Sequence, residues 1–543
     1  MTDPSKADAH PQSSSTGLGD DAVDAMSVSP EEGAHPDSYP RGLKFAVPML
    51  ATYLIFTVIG LDSTILAITI PSLTVQFGTM ADIGWYLSIY RLMSGSFQPI
   101  YGKLYSLIPA KVLVLTSLAI FMAGALLSAL SSSSSIFILG RAITGLATAG
   151  VTSGAFAIII QLTPLRSRSK YASIGAATEA VASLTAPMIG GVLVDRLNWS
   201  WCFYIELPFL AAAFVLVLVF LDLPAGGILG GLSFSTILRK VEPYSTAVFI
   251  PAFTCLILTL QWGGSQYRWT DWRVLLPLAL AVSLVLVYAV LQIRLGDRAT
   301  MPTRILLRRS VLCGFLFAAC NNGALSVIEY YLPTYFQTVQ GAPATTSGIL
   351  MLPLGVGLII SVPLAGFLTY WVGYPNYFMV FNGLLTPIAT GLLTTINTKP
   401  ATWKLLIYQA LLGFGTGIGF QGPQVGVQAI FSDSDSQIGI SIIQLAQALG
   451  PAIFVATAQT IFAGSLPSGF ITGGLGQKTS GDLERNADAS HTLGEDSNSS
   501  FIYSGALGRA FYVSLGLACM TLVATLGMEW HSVKRRSAKS SGL

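Results

Sequence analysis

Long apolar stretches separated by short polar gaps are the feature that most constrains what this chain can fold into. The stretches at 112–130, 210–221, 274–290 and 511–526 contain no charged residue. A hydrocarbon core about 30 Å thick needs roughly 20 apolar residues per spanning helix. Because backbone amides in lipid must be satisfied within their own element, these stretches are expected to be helices. The sequence therefore predicts an all-α polytopic membrane protein.

The composition limits the classes of function. Only 10% of the 543 residues are charged, whereas a soluble protein carries about 25%. The net charge of +3 and the lack of a basic run with interleaved aromatic residues argue against a nucleic-acid partner. The cysteines have no metal-ligand or redox spacing and no nucleotide-binding phosphate loop occurs, so we expect no metal and no cofactor. The histidines lie outside the apolar stretches, so a proton relay in the bilayer must use carboxylates.

The apolar stretches predict about fourteen spans. Lys and Arg are concentrated in alternate gaps, and such gaps face the cytosol. An even number of spans then places both termini in the cytosol. The predicted spans are 45–70, 83–104, 112–131, 136–160, 170–194, 201–221, 245–263, 274–293, 310–335, 345–370, 376–396, 403–425, 437–463 and 508–529.

The two ends of the chain resemble each other. Pro99-Ile-Tyr-Gly102 matches Pro363-Leu-Ala-Gly366, Arg141-Ala-Ile-Thr-Gly145 matches Gln409-Ala-Leu-Leu-Gly413, and Pro187 matches Pro451, all at offsets of 264 to 268 residues. Three matches in order at nearly one offset predict duplicated six-helix halves with two helices inserted between them. Parallel repeats of this kind are known in transporters.

The repeat sets the expected domain boundaries. We expect a disordered cytosolic tail at 1–44, an N-terminal half at 45–221, a linker with two spans at 222–309 and a C-terminal half at 310–530, followed by a basic cytosolic tail at 531–543. The C-terminal half contains a long external loop at 464–507. Two glycosylation sequons fall in external gaps, at Asn198 and Asn498.

Several motifs resemble those of the major facilitator superfamily, in particular its fourteen-span drug:proton antiporter branch. The motifs are Leu61-Asp62-Ser-Thr64 in the first span, Gly102-Lys-Leu104…Lys111 after the second, Leu139-Gly-Arg141…Gly145 in the fourth, Ala186-Pro187…Gly190-Gly191 in the fifth and Trp199-Ser-Trp201…Glu206-Leu-Pro208 before the sixth. Tyr330-Tyr-Leu-Pro333 is similar to fungal toxin and multidrug exporters. The chain departs from the family pattern at Ser106, Ala186 and Glu206, where Asp, Gly and Asn are usual.

The resemblance gives some of these residues mechanical roles. Gly102, Lys111, Gly145, Pro187, Gly190, Gly191, Gly413 and Pro451 are expected to form gating motifs. Glycines let helix backbones approach closely, and an internal proline bends its helix. Close packing alone is the alternative explanation for each glycine.

Charged residues within the spans are candidates for proton coupling. A charge at mid-bilayer costs at least ~2.5–3.5 kcal/mol, so it is expected to face a cavity or a partner. Asp62 and Arg141 are the predicted coupling pair, with Glu179 as a second titratable group. A permanent structural ion pair is the alternative for Asp62 and Arg141. Glu206 is expected at the membrane interface and Glu329 in solvent.

Uncharged polar residues of the second half suit an amphipathic organic ligand. The predicted substrate cavity comprises Asn321, Asn322, Tyr330, Gln421 and Gln424, together with Arg91. Arg91 contacts an anionic or carbonyl-rich substrate or, alternatively, extends to the outer interface.

The sequence predicts a proton-coupled exporter of a hydrophobic or amphipathic metabolite or drug, working by alternating access and not an enzyme. An importer of an iron chelate or nutrient on the same fold is the first alternative, and a transport-dead membrane sensor is the second. The expected partners are a small organic substrate, protons and the lipid bilayer, and the protein is expected to be a monomer. The expected location is the plasma membrane, with the vacuolar membrane as the alternative.

Overall fold

The computed structural model describes residues 39–78, 82–221, 243–263, 267–396, 402–465 and 497–534. Parts of four predicted segments lie outside the described residues: the N-terminal tail to residue 38, the linker at 222–242, the external loop at 466–496 and the C-terminal tail from 535.

Every predicted span coincides with a helix, although most helices extend beyond the predicted limits. The helices are α1 Leu43–Phe77, α2 Ile83–Leu107, α3 Ala110–Ala129, α4 Ser134–Leu162, α5 Leu165–Arg196, α6 Glu206–Phe220, α7 Pro243–Trp262, α8 Trp272–Leu295, α9 Arg309–Thr338, α10 Leu352–Val372, α11 Asn376–Thr394, α12 Thr402–Gly419, α13 Asp433–Gly464 and α14 Ser497–Gly527. Short helices precede α6 (Trp201–Tyr204) and α10 (Ala344–Leu350), and two more lie at Thr303–Leu306 and Gly422–Ile430.

Most of these helices are suited to a bilayer by length and composition. Among the described residues, eleven helices are long and apolar enough to cross a membrane. The other three spans are α2, α7 and α12. Helix α2 contains Arg91 and Lys103, and the apolar part of α7 covers only Ala247–Leu260. The protein is therefore a multi-pass membrane protein, and a few of its helices are less apolar because they carry polar residues at interior positions.

The packing of the helices repeats in the two halves. In the first half α1 packs on α4, α5 and α6, and α4 also packs on α2 and α3. In the second half α9 packs on α12, α13 and α14, and α12 also packs on α10 and α11. Equivalent pairs are related by a shift of eight helices, which is the six-helix half plus the two inserted helices α7 and α8. This arrangement agrees with the duplication read from the sequence.

Two equivalent seams join the halves. Helix α2 packs against α13, and α10 packs against α5. At Gly102 an added Cβ would overlap the side chain of Ser441, and at Gly366 it would overlap Ser173. The two glycines are 264 residues apart and the two serines 268, so both seams use the same duplicated contact. Ser169 Oγ also donates to Gly366 O at 3.2 Å.

Ionic contacts close one end of the bundle, called here the closed face and marked by Lys103, Arg168 and Asp433. Arg168 on α5 donates from Nη1 and Nη2 to the two carboxylate oxygens of Asp433 on α13, at 2.9 and 3.1 Å. Lys103 Nζ on α2 donates to Asp297 O at 3.3 Å. Arg304 forms a bidentate pair with Asp435, at 2.9 and 3.2 Å. These bonds join both halves and the linker at one face.

The inserted helices α7 and α8 pack mainly on each other, and α7 also contacts α2 and α13. Only 11% of the most apolar window of α8 is buried. Its exposed side chains include Leu276, Leu286 and Ile293. An apolar helix with so little protein cover is suited to contact with lipid tails. The inserted pair therefore lies at the periphery and contributes no wall to the central cavity described next.

Candidate functional site

A cavity of about 220 Å³ lies between the two halves. Six helices contribute most of its wall: α1, α2, α4 and α5 of the first half and α9 and α13 of the second. The step after α12 and the short helix Gly422–Ile430 contribute the rest. Its lining residues are Phe56, Ile59, Ser63, Tyr90, Arg91, Ser94, Gln98, Thr148, Thr152, Phe156, Glu179, Asn322, Phe420, Gln421, Gln424, Gln444, Gln447 and Ala448. Arg91 is exposed and lies in the first half of α2, twelve residues before Lys103. This part of the cavity wall is therefore remote from the closed face.

Amide side chains dominate the polar part of this wall. Gln98 on α2 donates to Gln444 on α13, which links the two halves across the cavity, and also to Ser153 Oγ at 2.9 Å. Gln421, Gln424, Gln444 and Gln447 each retain a buried amide atom without a hydrogen-bond partner among the described residues. Buried polar atoms are costly when unpaired. The wall can thus both donate to and accept from a ligand, between the aromatic rings of the same lining.

A buried ion pair lies beside the cavity in the first half. Asp62 on α1 bonds to Arg141 Nη1 on α4, and their side chains are 0% and 2% exposed. Gly145 on α4 allows this arrangement, because an added Cβ would overlap the backbone carbonyl of Tyr90 on α2. The close approach of α2 places the Tyr90 ring 4.6 Å from Arg141 Cζ. The structure therefore brings together the two residues predicted to form the coupling pair.

Tyr90 connects this ion pair to the cavity. One side of its ring contacts Arg141, and the residue also lines the cavity. Its hydroxyl lies 3.1 Å from that of Thr148, another lining residue. A change in the position of Arg141 would thus move the Tyr90 side chain and, with it, part of the cavity wall.

The prediction that Glu206 lies at the membrane interface is wrong, because its side chain is fully buried, at 0% exposure. Its carboxyl interacts electrostatically with both Asp62 and Arg141. Glu206 begins α6, directly after a turn at Ile205. Helix α6 packs against α1, which carries Asp62. The carboxyl group of Glu206 is therefore buried next to the ion pair.

Two residues predicted to line the cavity do not line it. Asn321 is buried in the packing of α9 with α11 and α12, where it accepts a hydrogen bond from Asn382 Nδ2 at 2.9 Å and donates to Thr416 O at 3.3 Å. Tyr330 is 54% exposed and packs edge-on against Tyr331. Glu329 is exposed, as expected. Arg91, Asn322, Glu179, Gln421 and Gln424 all lie in the lining.

The predicted gating residues occupy helix interfaces to different degrees. Gly413 packs on the Leu354 carbonyl, the counterpart of Gly145 on Tyr90. Gly190 faces Ile65, with 3.0 Å between an added Cβ and Ile65 Cγ1, whereas an added Cβ at Gly191 meets nothing within 4 Å. Pro187 and Pro451 lie inside α5 and α13. Lys111, at the start of α3, is half-buried.

The two sequons lie at the end of the bundle opposite the closed face. Asn198 is exposed in the turn after α5. Asn498 belongs to the first turn of α14, because this helix begins at Ser497 and not after residue 507 as the predicted loop implied.

Among the described residues, the second half has no counterpart of the ion pair. Gln409 occupies the position equivalent to Arg141 and is buried without a partner for either amide atom among the described residues. The charged machinery of the bundle interior therefore lies on one side of the cavity, and the amide wall lies mainly on the other. Sequence reasoning missed Gln98 and Gln447, since a single Gln in an apolar span gives no indication of its direction.

Two six-helix halves around a central cavity define a polytopic membrane transporter. The family model of the Major Facilitator Superfamily matches residues 52–455. The chain belongs to the major facilitator superfamily.

Similar proteins of known kind include several efflux pumps of fungi. An MFS-type efflux pump of Trichophyton rubrum is 34% identical over 528 residues, covering 96% of this chain and 98% of that protein. A rubrofusarin-specific efflux pump of Gibberella zeae is 36% identical, covering 91% of each chain. A thioclapurine efflux transporter of Claviceps purpurea is 34% identical and covers 92% of each.

Solved structures share the fold. The human organic anion transporter MFSD10 superposes with a TM-score of 0.58 at 15% identity, covering 90% of this chain and all of that chain. The proton:xylose symporter XylE gives a TM-score of 0.57 at 14% identity, covering 90% of this chain and 98% of that chain. These likenesses confirm the predicted fold class.

Proposed function

We propose that this protein exports an amphipathic organic molecule in exchange for protons, by alternating access of the central cavity. The observation that carries the proposal is the buried Asp62–Arg141 pair, separated by the Tyr90 ring from a cavity of amides and aromatic side chains. The named efflux pumps among its relatives support the direction of transport.

The cavity wall favours a ligand with an aromatic or fused-ring body and several hydroxyl or carbonyl groups. Aromatic rings prefer to stack offset or edge-on against Phe56, Phe156 and Phe420. The unpaired Oε1 atoms of Gln421 and Gln424 can accept hydrogen bonds, and the unpaired Nε2 atoms of Gln444 and Gln447 can donate them.

The proton gradient supplies the energy. Each elementary charge that crosses 100 mV is worth about 2.3 kcal/mol. A tenfold concentration ratio costs about 1.4 kcal/mol, so one proton can drive a neutral substrate through more than a tenfold gradient. A proton bound beside Arg141 weakens the pair with Asp62, and Tyr90 transmits the movement of the arginine to the cavity.

The proposed orientation places the closed face in the cytosol. This face carries most of the Lys and Arg residues of the described loops, and positive loops face the cytosol. We propose that this arrangement is the state that releases substrate outward and takes up protons from outside. We propose that the protein acts as a monomer in the plasma membrane, since one chain builds the whole cavity, and that both termini are cytosolic.

A deletion strain and vesicles test the function together. Metabolite profiles of cells with and without the gene identify the compound that the deletion strain retains. Inside-out membrane vesicles containing the protein should accumulate that compound, and a protonophore should abolish accumulation. Asp62→Asn provides the coupling-deficient control. Accumulation that persists without a proton gradient rejects proton coupling, and uptake by intact cells instead of retention would establish the importer.

A further inference from the structure

The starting point is four unpaired atoms in one buried ion cluster, defined as Asp62, Arg141 and Glu206. Asp62 bonds to Arg141 through Oδ1, and its Oδ2 has no hydrogen-bond partner among the described residues. Both carboxyl oxygens of Glu206 and Nε of Arg141 are also buried without a partner there. One acceptor on Asp62, two oxygens on Glu206 and one donor on Arg141 are thus left over in the same place.

The charges of this cluster do not balance when both acids are ionised. An arginine stays protonated under all physiological conditions, so the cluster holds two carboxylates against one guanidinium. Among the described residues, the other titratable side chains that face it are those of Tyr90 on α2 and Cys202 in the turn before α6, which carry no charge at neutral pH. Arg91 adjoins Tyr90 but is exposed. Two carboxylates in such a site do not both ionise.

We propose that Asp62 and Glu206 share one bound proton. The proton lies on a Glu206 oxygen, which donates it to Oδ2 of Asp62, while Oδ1 of Asp62 keeps its bond to Arg141. This arrangement makes the cluster neutral and pairs both carboxyl groups. The two acids lie on α1 and α6, which pack against each other, and their carboxyl groups interact electrostatically.

Loss of the proton has a defined second arrangement. The ionised Glu206 then competes with Asp62 for the guanidinium, and the unpaired Nε–H of Arg141 can donate to it. The guanidinium turns toward α6 and changes its contact with the Tyr90 ring, which lines the cavity. The link of this proton to export rests on the proposed function, whereas the existence of the shared proton does not.

Infrared difference spectroscopy of the purified full-length protein during a pH titration tests the proposal without a transport substrate. The wild type should show a protonated carboxyl group in apolar surroundings at neutral pH, with the band shift in D₂O that an exchangeable proton gives. Glu206→Gln should remove this band. Asp62→Asn should remove it too, because one guanidinium then neutralises the one remaining carboxylate. Glu179→Gln is the matched control, because it removes the carboxyl group that faces the cavity and leaves the cluster intact.

The outcomes separate this proposal from the proposed function. A wild-type spectrum without the band overturns the shared proton even if no variant folds. A band that survives Glu206→Gln places the proton elsewhere, and a band that survives Asp62→Asn shows that Glu206 holds it alone; either result overturns sharing. An intact band in a protein whose export ignores a protonophore would leave the proton site established and reject proton-coupled export.

Discussion

The composition of the ion cluster predicts that loss of its cation destabilises the protein more than loss of one of its carboxylates. Arg141→Gln leaves Asp62 and Glu206 buried without a cation, at 0% exposure each. Removing one partner of a buried pair costs about 3–5 kcal/mol. Asp62→Asn leaves Glu206 as the counter-ion of Arg141, so the loss falls to that of one charged hydrogen bond, about 1.5–3 kcal/mol.

The double variant completes the cycle. Asp62→Asn with Arg141→Gln retains only Glu206, which can take up a proton and become neutral. We therefore expect the double variant to be more stable than Arg141→Gln alone. Coupling between residues in direct contact typically amounts to about 0.5–3 kcal/mol. Arg91→Gln is the control for loss of an arginine, and as an exposed position it should change stability by less than about 0.5 kcal/mol.

The assay is reversible unfolding in mixed micelles of mild detergent and dodecyl sulfate, followed by tryptophan fluorescence. The free energies of unfolding of the four cluster proteins give the cycle directly. Equal losses for the two single variants, or a larger loss for Asp62→Asn, would refute the reasoning, since either result means that Glu206 does not serve Arg141 as a counter-ion.

Three further predictions concern the seams and the cavity. Gly366→Ala should destabilise the closed arrangement by about 1–3 kcal/mol through overpacking, which shifts the populations seen in spin-label distances roughly 5- to 150-fold toward an open closed face. Gly191→Ala should leave these distances unchanged. Arg168→Gln should open the same face by about 1 kcal/mol, because its partner carboxylate is 62% exposed, and high salt should reproduce part of the effect in the wild type. Gln424→Leu should raise the half-saturating substrate concentration about 2- to 13-fold, because one hydrogen bond to the substrate is lost. Gln409→Leu should leave this concentration unchanged, because Gln409 is buried away from the cavity. Equal effects of the two substitutions would place the ligand elsewhere.

The fold could be predicted because the bilayer imposes one strong rule on sequence. Helix α8 is almost purely apolar and its assignment needs no context. The repeat predicted which helices of the two halves are equivalent, since Gly145 and Gly413 form the same close contact in each half. The predicted ends of helices were less accurate where polar residues continue a helix beyond the hydrocarbon core, as at the start of α14.

The candidate site was only partly predictable, because the direction in which a helical side chain faces depends on packing partners far away in the chain. Asp62 and Arg141 were foreseen, since a charge in a span requires a partner. Glu206 was misplaced because its burial depends on the packing of α6 against α1, which lies far away in the chain. The Arg168–Asp433 contact joins residues 265 positions apart and has no local signature. Asn321 faces Asn382 and not the cavity, which hydropathy alone cannot indicate.

Transport by the protein in proteoliposomes tests the coupling most directly. The probe is the compound retained by the deletion strain, and two rates are measured: exchange of labelled for unlabelled compound without a gradient, and accumulation against a gradient under an imposed pH difference. The double variant Asp62→Asn with Arg141→Gln should keep exchange and lose accumulation, because the cavity is intact but the ion pair that a bound proton would weaken is gone. Accumulation by this variant at the wild-type rate would contradict the account.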